Sequence, residues 1–344
     1  MGRKDSPTIT VRFGGGSMSN RKHSILSSYL MTSFYKTITE LPAISSLQNS
    51  LPLPLATTII IEGNINHEGL TAELNNRDTL SAELRDKKPT LQFDIGIDEV
   101  GRGPLYGSVV VSGAILPCQW SAEIEQNPLQ DTPLAILTDS KKLTEAKRER
   151  LFEPIKQQAL AYMIVEIPAS VIDEVNILQA TLMGMRLACE QIMIEMVQAL
   201  QSNLDESLEI EGFLDIDSSL DRDSQSQNHI AFNLLIDGNK VPDLDSQLLQ
   251  HYNIGAELKH SVNAEAWVRG DARHSAIAAA SVLAKVSRDR QLIKDGAAHP
   301  GYGLEGHKGY PTKAHIEAIQ KLGVLPQHRR SFKPVQEALS LQQL

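Results

Sequence analysis

Between residues 93 and 98 apolar and polar positions alternate: Phe93, Ile95 and Ile97 against Asp94, Gly96 and Asp98. A period of two predicts a strand. "GSVVVSGAIL" (107–116), rich in β-branched residues, reads as a second strand, "AYMIVEI" (161–167) as a third and "IAFNLLID" (230–237) as a fourth, buried one. Between them the period lengthens. "LTEAKRERLFEPIKQQAL" (143–160) reads as a helix, with Thr144 as N-cap and Glu145 in the first turn, where the helix dipole favours an acid. Residues 176–200 carry apolar side chains three and four apart, a long helix. An Ala-rich helix over 274–292 can pack closely, and a last helix over 312–323 stops at Gly323. Strands alternating with helices indicate an α/β domain over roughly 91–338, followed by a short tail, 339–344.

Two stretches break the pattern. Residues 1–90 lack sustained periodicity; "ATTIIIEG" (56–63) reads as one strand and 71–86 as one short helix in an extension expected to be largely disordered. Residues 201–230 are acidic, Ser/Gln-rich and poor in core formers, as in a solvated insertion.

Composition narrows the class. Hydrophobic residues make up 41%, enough for a real core, yet no apolar run approaches a membrane span, and no export signal is visible. Cys118 and Cys189 are too few for a disulfide framework or a Cys-rich zinc site and fit a reducing compartment. The net charge of −9 hides an asymmetry: residues 285–333 hold ten basic and four acidic side chains. A basic C-terminal surface beside an acidic site suits a metal-dependent enzyme acting on a polyanion.

The acidic site is "FDIGIDEVGRGP" (93–104), where a strand runs into adjacent carboxylates and a Gly-Arg-Gly tripeptide. Asp98 and Glu99 end the first strand, Asp237 ends the strand at 230–237, and Asp271 lies just before the Ala-rich helix. Functional groups collect at the carboxyl ends of strands in open α/β sheets. Oxygen ligands without cysteine suit Mg²⁺ or Mn²⁺. Singly, each has a plainer reading: a strand-end cap, an Asp-Gly-Asn turn, a helix-start residue.

Their company changes the odds. "IGIDEVGRGPLYGSVVVSGAIL", "TDSKKLTEAKRERL", "LIDGNKVPDL", "VRGDARHSAIAAASVLAKVSRDR" and "GYGLEGHKGYPTKAHIEAIQKLGVLPQHRRSF" resemble the motifs of the ribonuclease HII family, in its order, over nearly all of 91–335. The resemblance implies an RNase H-like fold, a central mixed sheet flanked by helices with a C-terminal helical part. It carries the four acidic metal ligands onto Asp98, Glu99, Asp237 and Asp271, which would hold two divalent ions. It implies an endonuclease, acting as a monomer, that hydrolyses RNA in RNA–DNA hybrids and nicks duplex DNA on the 5′ side of single ribonucleotides, in ribonucleotide removal. The missing export signal, with this implied DNA substrate, sets the expected location as cytoplasmic. The loop Gly101-Arg102-Gly103 would touch the ribonucleotide's 2′-hydroxyl and adjacent phosphates, and Tyr310 would stack on the next sugar; nearby Tyr302 is the alternative. Lys141, Lys142, Arg329 and Arg330 are expected to meet phosphates, and His328 to orient a neighbour. Two rival readings are a ribonuclease HIII-like nuclease, which would need an N-terminal platform, and a silent metal- and nucleic-acid-binding module. Recruitment of a replication or repair partner such as a sliding clamp stays open, because no peptide in the extension or the acidic insertion matches such a motif well.

Overall fold

The computed structural model describes residues 10–11, 32–38, 59–81, 90–137, 143–211, 229–255 and 260–342. In chain order the elements are β1 (Thr10–Val11), β2 (Thr32–Ile38), β3 (Ile59–Ile65), α1 (His67–Ser81), β4 (Thr90–Val100), β5 (Val109–Ile115), α2 (Glu145–Gln158), β6 (Ala161–Ile167), α3 (Ala169–Val175), α4 (Ile177–Glu211), β7 (His229–Asp237), α5 (Ser246–His251), β8 (His260–Trp267), α6 (Ser275–Ala298), α7 (Leu304–His307), α8 (Lys313–Leu322) and α9 (Lys333–Gln342). One mixed sheet runs in the order β1-β2-β3-β6-β5-β4-β7-β8. Strands β4, β7 and β8 pair in parallel, and every other pairing is antiparallel.

Alternation along β4 divides the core. Phe93, Ile95 and Ile97 join Phe232, Leu234 and Ile236 of β7 against α3 and α4 on one face. The other face, carrying Asp94, Gly96 and Asp98, meets α6. Gly96 explains how close α6 comes: a Cβ there would lie 2.1 Å from the Ala276 carbonyl carbon and 2.3 Å from the Ile277 nitrogen. Ala276, Ala278, Ala279 and Ala280 are buried on this helix, so its backbone sits almost on the sheet. The third cluster joins Leu105 and Tyr106 to Leu304, Ile319 and Val335 of the C-terminal helices.

Several elements follow the sequence pattern closely. The Thr144 hydroxyl accepts from the Lys147 N–H at 3.3 Å, and Gly323 closes α8. The expected strand in the extension is β3, and α1 follows it. β3 is built into the main sheet: it pairs with β6, and Ile59, Ile61 and Ile65 are buried. The sheet thus continues across residue 91, and β1 and β2 extend that same sheet. The expected acidic loop begins later than 201, because α4 continues to Glu211; residues 212–228 lie outside the described set. Strand β8 was not expected.

Candidate active site

Parallel register sets the first two carboxylates side by side. Ile97 of β4 pairs with Ile236 of β7, and the next residues are Asp98 and Asp237. Strand β8 lies against β7, with Asp237 opposite Trp267, and the chain then turns through a short 3-10 turn, Gly270–Ala272, that contains Asp271. The Gly270 N–H donates to Asp237 Oδ1 at 2.6 Å, so the residue preceding Asp271 also orients Asp237. A Cβ on Gly270 would stand 2.6 Å from Ile277 Cδ1 and 2.9 Å from Trp267 Cβ, so a larger residue would have to displace both side chains.

Electrostatics mark the site as unrelieved. Burial, then the charges of Asp237 and Glu99, push the Asp98 carboxyl well above the usual carboxylate range, opposed by hydrogen bonds from the Ser281 side chain and the Glu99 N–H. The Glu99 N–H reaches Asp98 Oδ1 at 2.7 Å. Glu99 is also raised, chiefly by burial, while Arg102 pulls it back down through a 3.3 Å contact. The donor set is all carboxylate oxygen, the chemistry Mg²⁺ and Mn²⁺ prefer, and a cation would relieve the repulsion between Asp98 and its neighbours. Among the described residues no three His, Cys, Asp or Glu side chains are already arranged to hold an ion.

The Gly-Arg-Gly loop lies at the end of β4. Gly101 has φ +93, and a Cβ there would stand 2.3 Å from Arg288 Nε. Beside Gly103 lies Tyr310, whose ring carbon Cε1 would be 3.3 Å from a Cβ at 103. Tyr310 is 44% exposed, whereas Tyr302 is buried with its hydroxyl donating to the Gly323 carbonyl at 2.8 Å. The geometry therefore favours Tyr310 over Tyr302 as the ring beside the loop.

The basic residues divide. Lys141 and Lys142 lie outside the described residues. Arg330 is exposed, with its backbone N–H held by Asp173 at 2.9 Å. Arg329 does not fit the expected phosphate contact. It is fully buried, and its guanidinium donates to the carbonyls of Gly101, Arg102, Pro104 and Gly107. An "HRR" run looks like surface in a sequence, but here the first arginine fills a pocket lined by carbonyls. Ser281 and Arg288, both on α6, were also missed. Ser281 interrupts the apolar, Ala-rich first half of α6, but Arg288 sits in the charged run Lys285–Arg290, which reads as a solvated face.

A histidine chain supports the Tyr310 backbone. The Leu325 N–H donates to His328 Nδ1 at 2.8 Å, so neutral His328 carries its proton on Nε2 and donates to His315 Nε2 at 3.1 Å. His315 then carries its proton on Nδ1 and donates to the Tyr310 carbonyl at 3.0 Å. Protonating either ring would set two N–H groups face to face. Burial above all pulls His315 down to about 4 and His328 down to about 3. An unfolded histidine titrates near ~6.5, so on acidification the unfolded chain takes up protons first. From this source stability should fall as pH drops from about 6.5 toward 3, with a slope of up to ~1.4 kcal/mol per pH unit per histidine. The raised carboxylates act in the opposite sense. Urea midpoints of the wild type and His315→Gln, compared at pH 7 and pH 5, isolate the histidine contribution; equal pH slopes would refute it.

Comparison with known proteins bears on the same residues. The family model described as Ribonuclease HII matches residues 95–335. A Ribonuclease HII of Psychrobacter sp. (strain PRwf-1) is 57% identical over 300 residues, covering 85% of this chain and 91% of the relative. One from Psychrobacter arcticus is 46% identical over 285 residues, covering 83% and 89%. The crystal structure of the ribonuclease H2 from Pyrococcus horikoshii OT3 matches with a TM-score of 0.42 and 23% identity, covering 73% of this chain and 99% of that one.

Proposed function

The chain belongs to the ribonuclease HII family, and on that basis we propose how its site works and on which substrates. The protein is a ribonuclease H, an endoribonuclease of RNA–DNA hybrids. The finer reading is that it also nicks duplex DNA on the 5′ side of a single embedded ribonucleotide, with two divalent ions, Mg²⁺ or Mn²⁺, leaving 3′-hydroxyl and 5′-phosphate ends. This chemistry on DNA-borne ribonucleotides fits a cytoplasmic role in ribonucleotide removal. The observation that carries it is the side-by-side placement of Asp98 and Asp237 with Glu99, next to the turn bearing Asp271.

Asp98, Glu99, Asp237 and Asp271 would hold the ions. When bound, those ions would stabilise charge on the phosphate and acidify a water molecule. The protein's own groups bind and orient. Ser281 and the Glu99 N–H hold Asp98, and the Gly270 N–H holds Asp237 through Oδ1, which orients both carboxylates at the strand ends. Gly101–Gly103 offers backbone able to approach a strand closely, and Arg102 lies exposed beside it. The 2′-hydroxyl is the group by which a protein separates RNA from DNA at one position, and Tyr310 lies where it could stack on the neighbouring sugar.

The test is an end-labelled duplex bearing one ribonucleotide. In Mg²⁺ or Mn²⁺ a single nick should appear on the 5′ side of the ribonucleotide, and a chelator should remove it. Cutting on the 3′ side, or cutting that survives the chelator, would overturn the proposal. A long hybrid run in parallel separates this reading from a hybrid-only nuclease of the type 3 kind.

A further inference from the structure

We infer that Arg288 and Arg329 are positioning residues for ribonucleotide recognition, two buried guanidinium groups that lock the Gly101–Gly103 loop and the Tyr310 segment into one unit. The inference rests on the reading of that loop as the reader of the 2′-hydroxyl. Both arginines are buried, at 1% and 0% exposure. Arg288 donates through Nε to the Ser108 carbonyl at 3.1 Å, through Nη2 to Tyr106 at 3.0 Å and through Nη1 to Lys308 at 3.0 Å. Arg329 donates through Nε to Gly107 at 3.0 Å, through Nη1 to Arg102 at 2.9 Å and Pro104 at 2.8 Å, and through Nη2 to Gly101 at 2.5 Å. Every one of these acceptors is a backbone carbonyl.

That choice of acceptor has a directional consequence. In a planar trans peptide the carbonyl and the following N–H point opposite ways. Turning the Gly101 and Arg102 carbonyls inward to Arg329 turns the N–H groups of Arg102 and Gly103 away from it, toward the side on which Arg102 is exposed. The buried charge thus sets the direction of two donors without touching a ligand. Arg288 adds the second half, because it holds carbonyls on both sides of the gap, Tyr106 and Ser108 on one and Lys308 on the other. The Leu105 N–H donates to the Gly309 carbonyl at 2.7 Å, and the Arg329 N–H to the Leu105 carbonyl at 2.8 Å, which pins Tyr310 beside Gly103. Gly101 is glycine because its φ is +93 and because the Arg288 guanidinium occupies the space of a side chain.

Lysine keeps the charge but has no planar fork and cannot span these carbonyls. The experiment is Arg329→Lys and Arg288→Lys in the full chain with Mn²⁺. It reads the KM and kcat for the duplex with one ribonucleotide, the inhibition constant of the matching all-deoxy duplex, and thermal melting. A cooperatively melting variant should show KM raised about tenfold or more, with the all-deoxy inhibition constant unchanged. Unchanged constants, or both constants rising in proportion, would overturn the inference. Should a variant not melt cooperatively, amide spectra of the wild type decide. The Arg102 and Gly103 N–H signals should move with the ribonucleotide duplex and stay put with the all-deoxy one, and equal movement rejects the idea. If the wild type makes no nick, the functional reading has failed; if it nicks and Arg329→Lys discriminates normally, only this inference has.

Discussion

An Asp98→Asn variant should cleave at least ~10³-fold more slowly than the wild type, the upper range for removing one electrostatic group from an active site, and should nevertheless be harder to unfold. Both effects follow from one cause. Asp98 is a buried carboxylate whose charged form is opposed by desolvation and by Asp237 and Glu99. Asparagine keeps the shape, and its side-chain oxygen can still accept from the Glu99 N–H, but it removes the negative charge a cation needs. Without divalent ions, relief of that repulsion should raise stability by about 1 kcal/mol. Melting in chelator and single-turnover cleavage in Mn²⁺ check the two halves. A variant that retains near-normal turnover would show that Asp98 does not hold a metal, and one that melts lower would show that its burial is better compensated than it looks.

Gly96→Ala is the substitution expected to damage the fold most. The added methyl would stand 2.1 Å from the Ala276 carbonyl carbon and 2.4 Å from its oxygen, both backbone atoms. A flexible side chain can swing away from such a contact, but a helix backbone has to move as a body. The loss should be about 3 kcal/mol or more, at or beyond the usual cost of overpacking. Activity should fall with it, since a displaced α6 carries Ser281 away from Asp98 and Arg288 away from the loop. Gly113→Ala provides the contrast. Its methyl would clash only with the Ile97 Cδ1 at 2.9 Å, the mobile end of a side chain, and meet Ile192 and Ala188 at ordinary contact distance, so it should cost less. Urea midpoints of the two variants, measured side by side, test the ranking.

The legible elements are those whose burial imposes a strong apolar pattern, on one face or on both. β4 and β7 are legible as alternations that bury one face against α4, β6 as an apolar run buried on both faces, and α8 because Thr312 and Gly323 bracket it. β8 escaped because "HSVNAEAW" is a largely exposed edge strand, with little hydrophobic demand to write a pattern. α4 was cut short because its last turns become acidic and polar, which ends the apolar periodicity although the helix itself continues. The carboxylates were legible as a set, since each sits at a strand end or just beyond one. Arg329 was misread for a tertiary reason. Its acceptors lie more than two hundred residues away, and no local pattern announces that a guanidinium will be surrounded by carbonyls. The His315–His328 contact is similar: thirteen residues separate the rings, and only the turn after α8 brings them together.

The pairing of β3 with β6 bears on where this protein can be trimmed. The family match starts at residue 95, which invites removing everything before it. A chain shortened that way would strip the partner from Ala161–Ile167 and leave its row of unsatisfied N–H and C=O groups facing water. Such a bare, flat, hydrophobic margin is a template for intermolecular strand addition. The shortened enzyme would keep Asp98, Glu99, Asp237 and Asp271 and yet be prone to precipitate during expression; because β2 in turn covers β3, a chain that also keeps Thr32–Ile38 leaves neither β6 nor β3 bare and should stay dispersed.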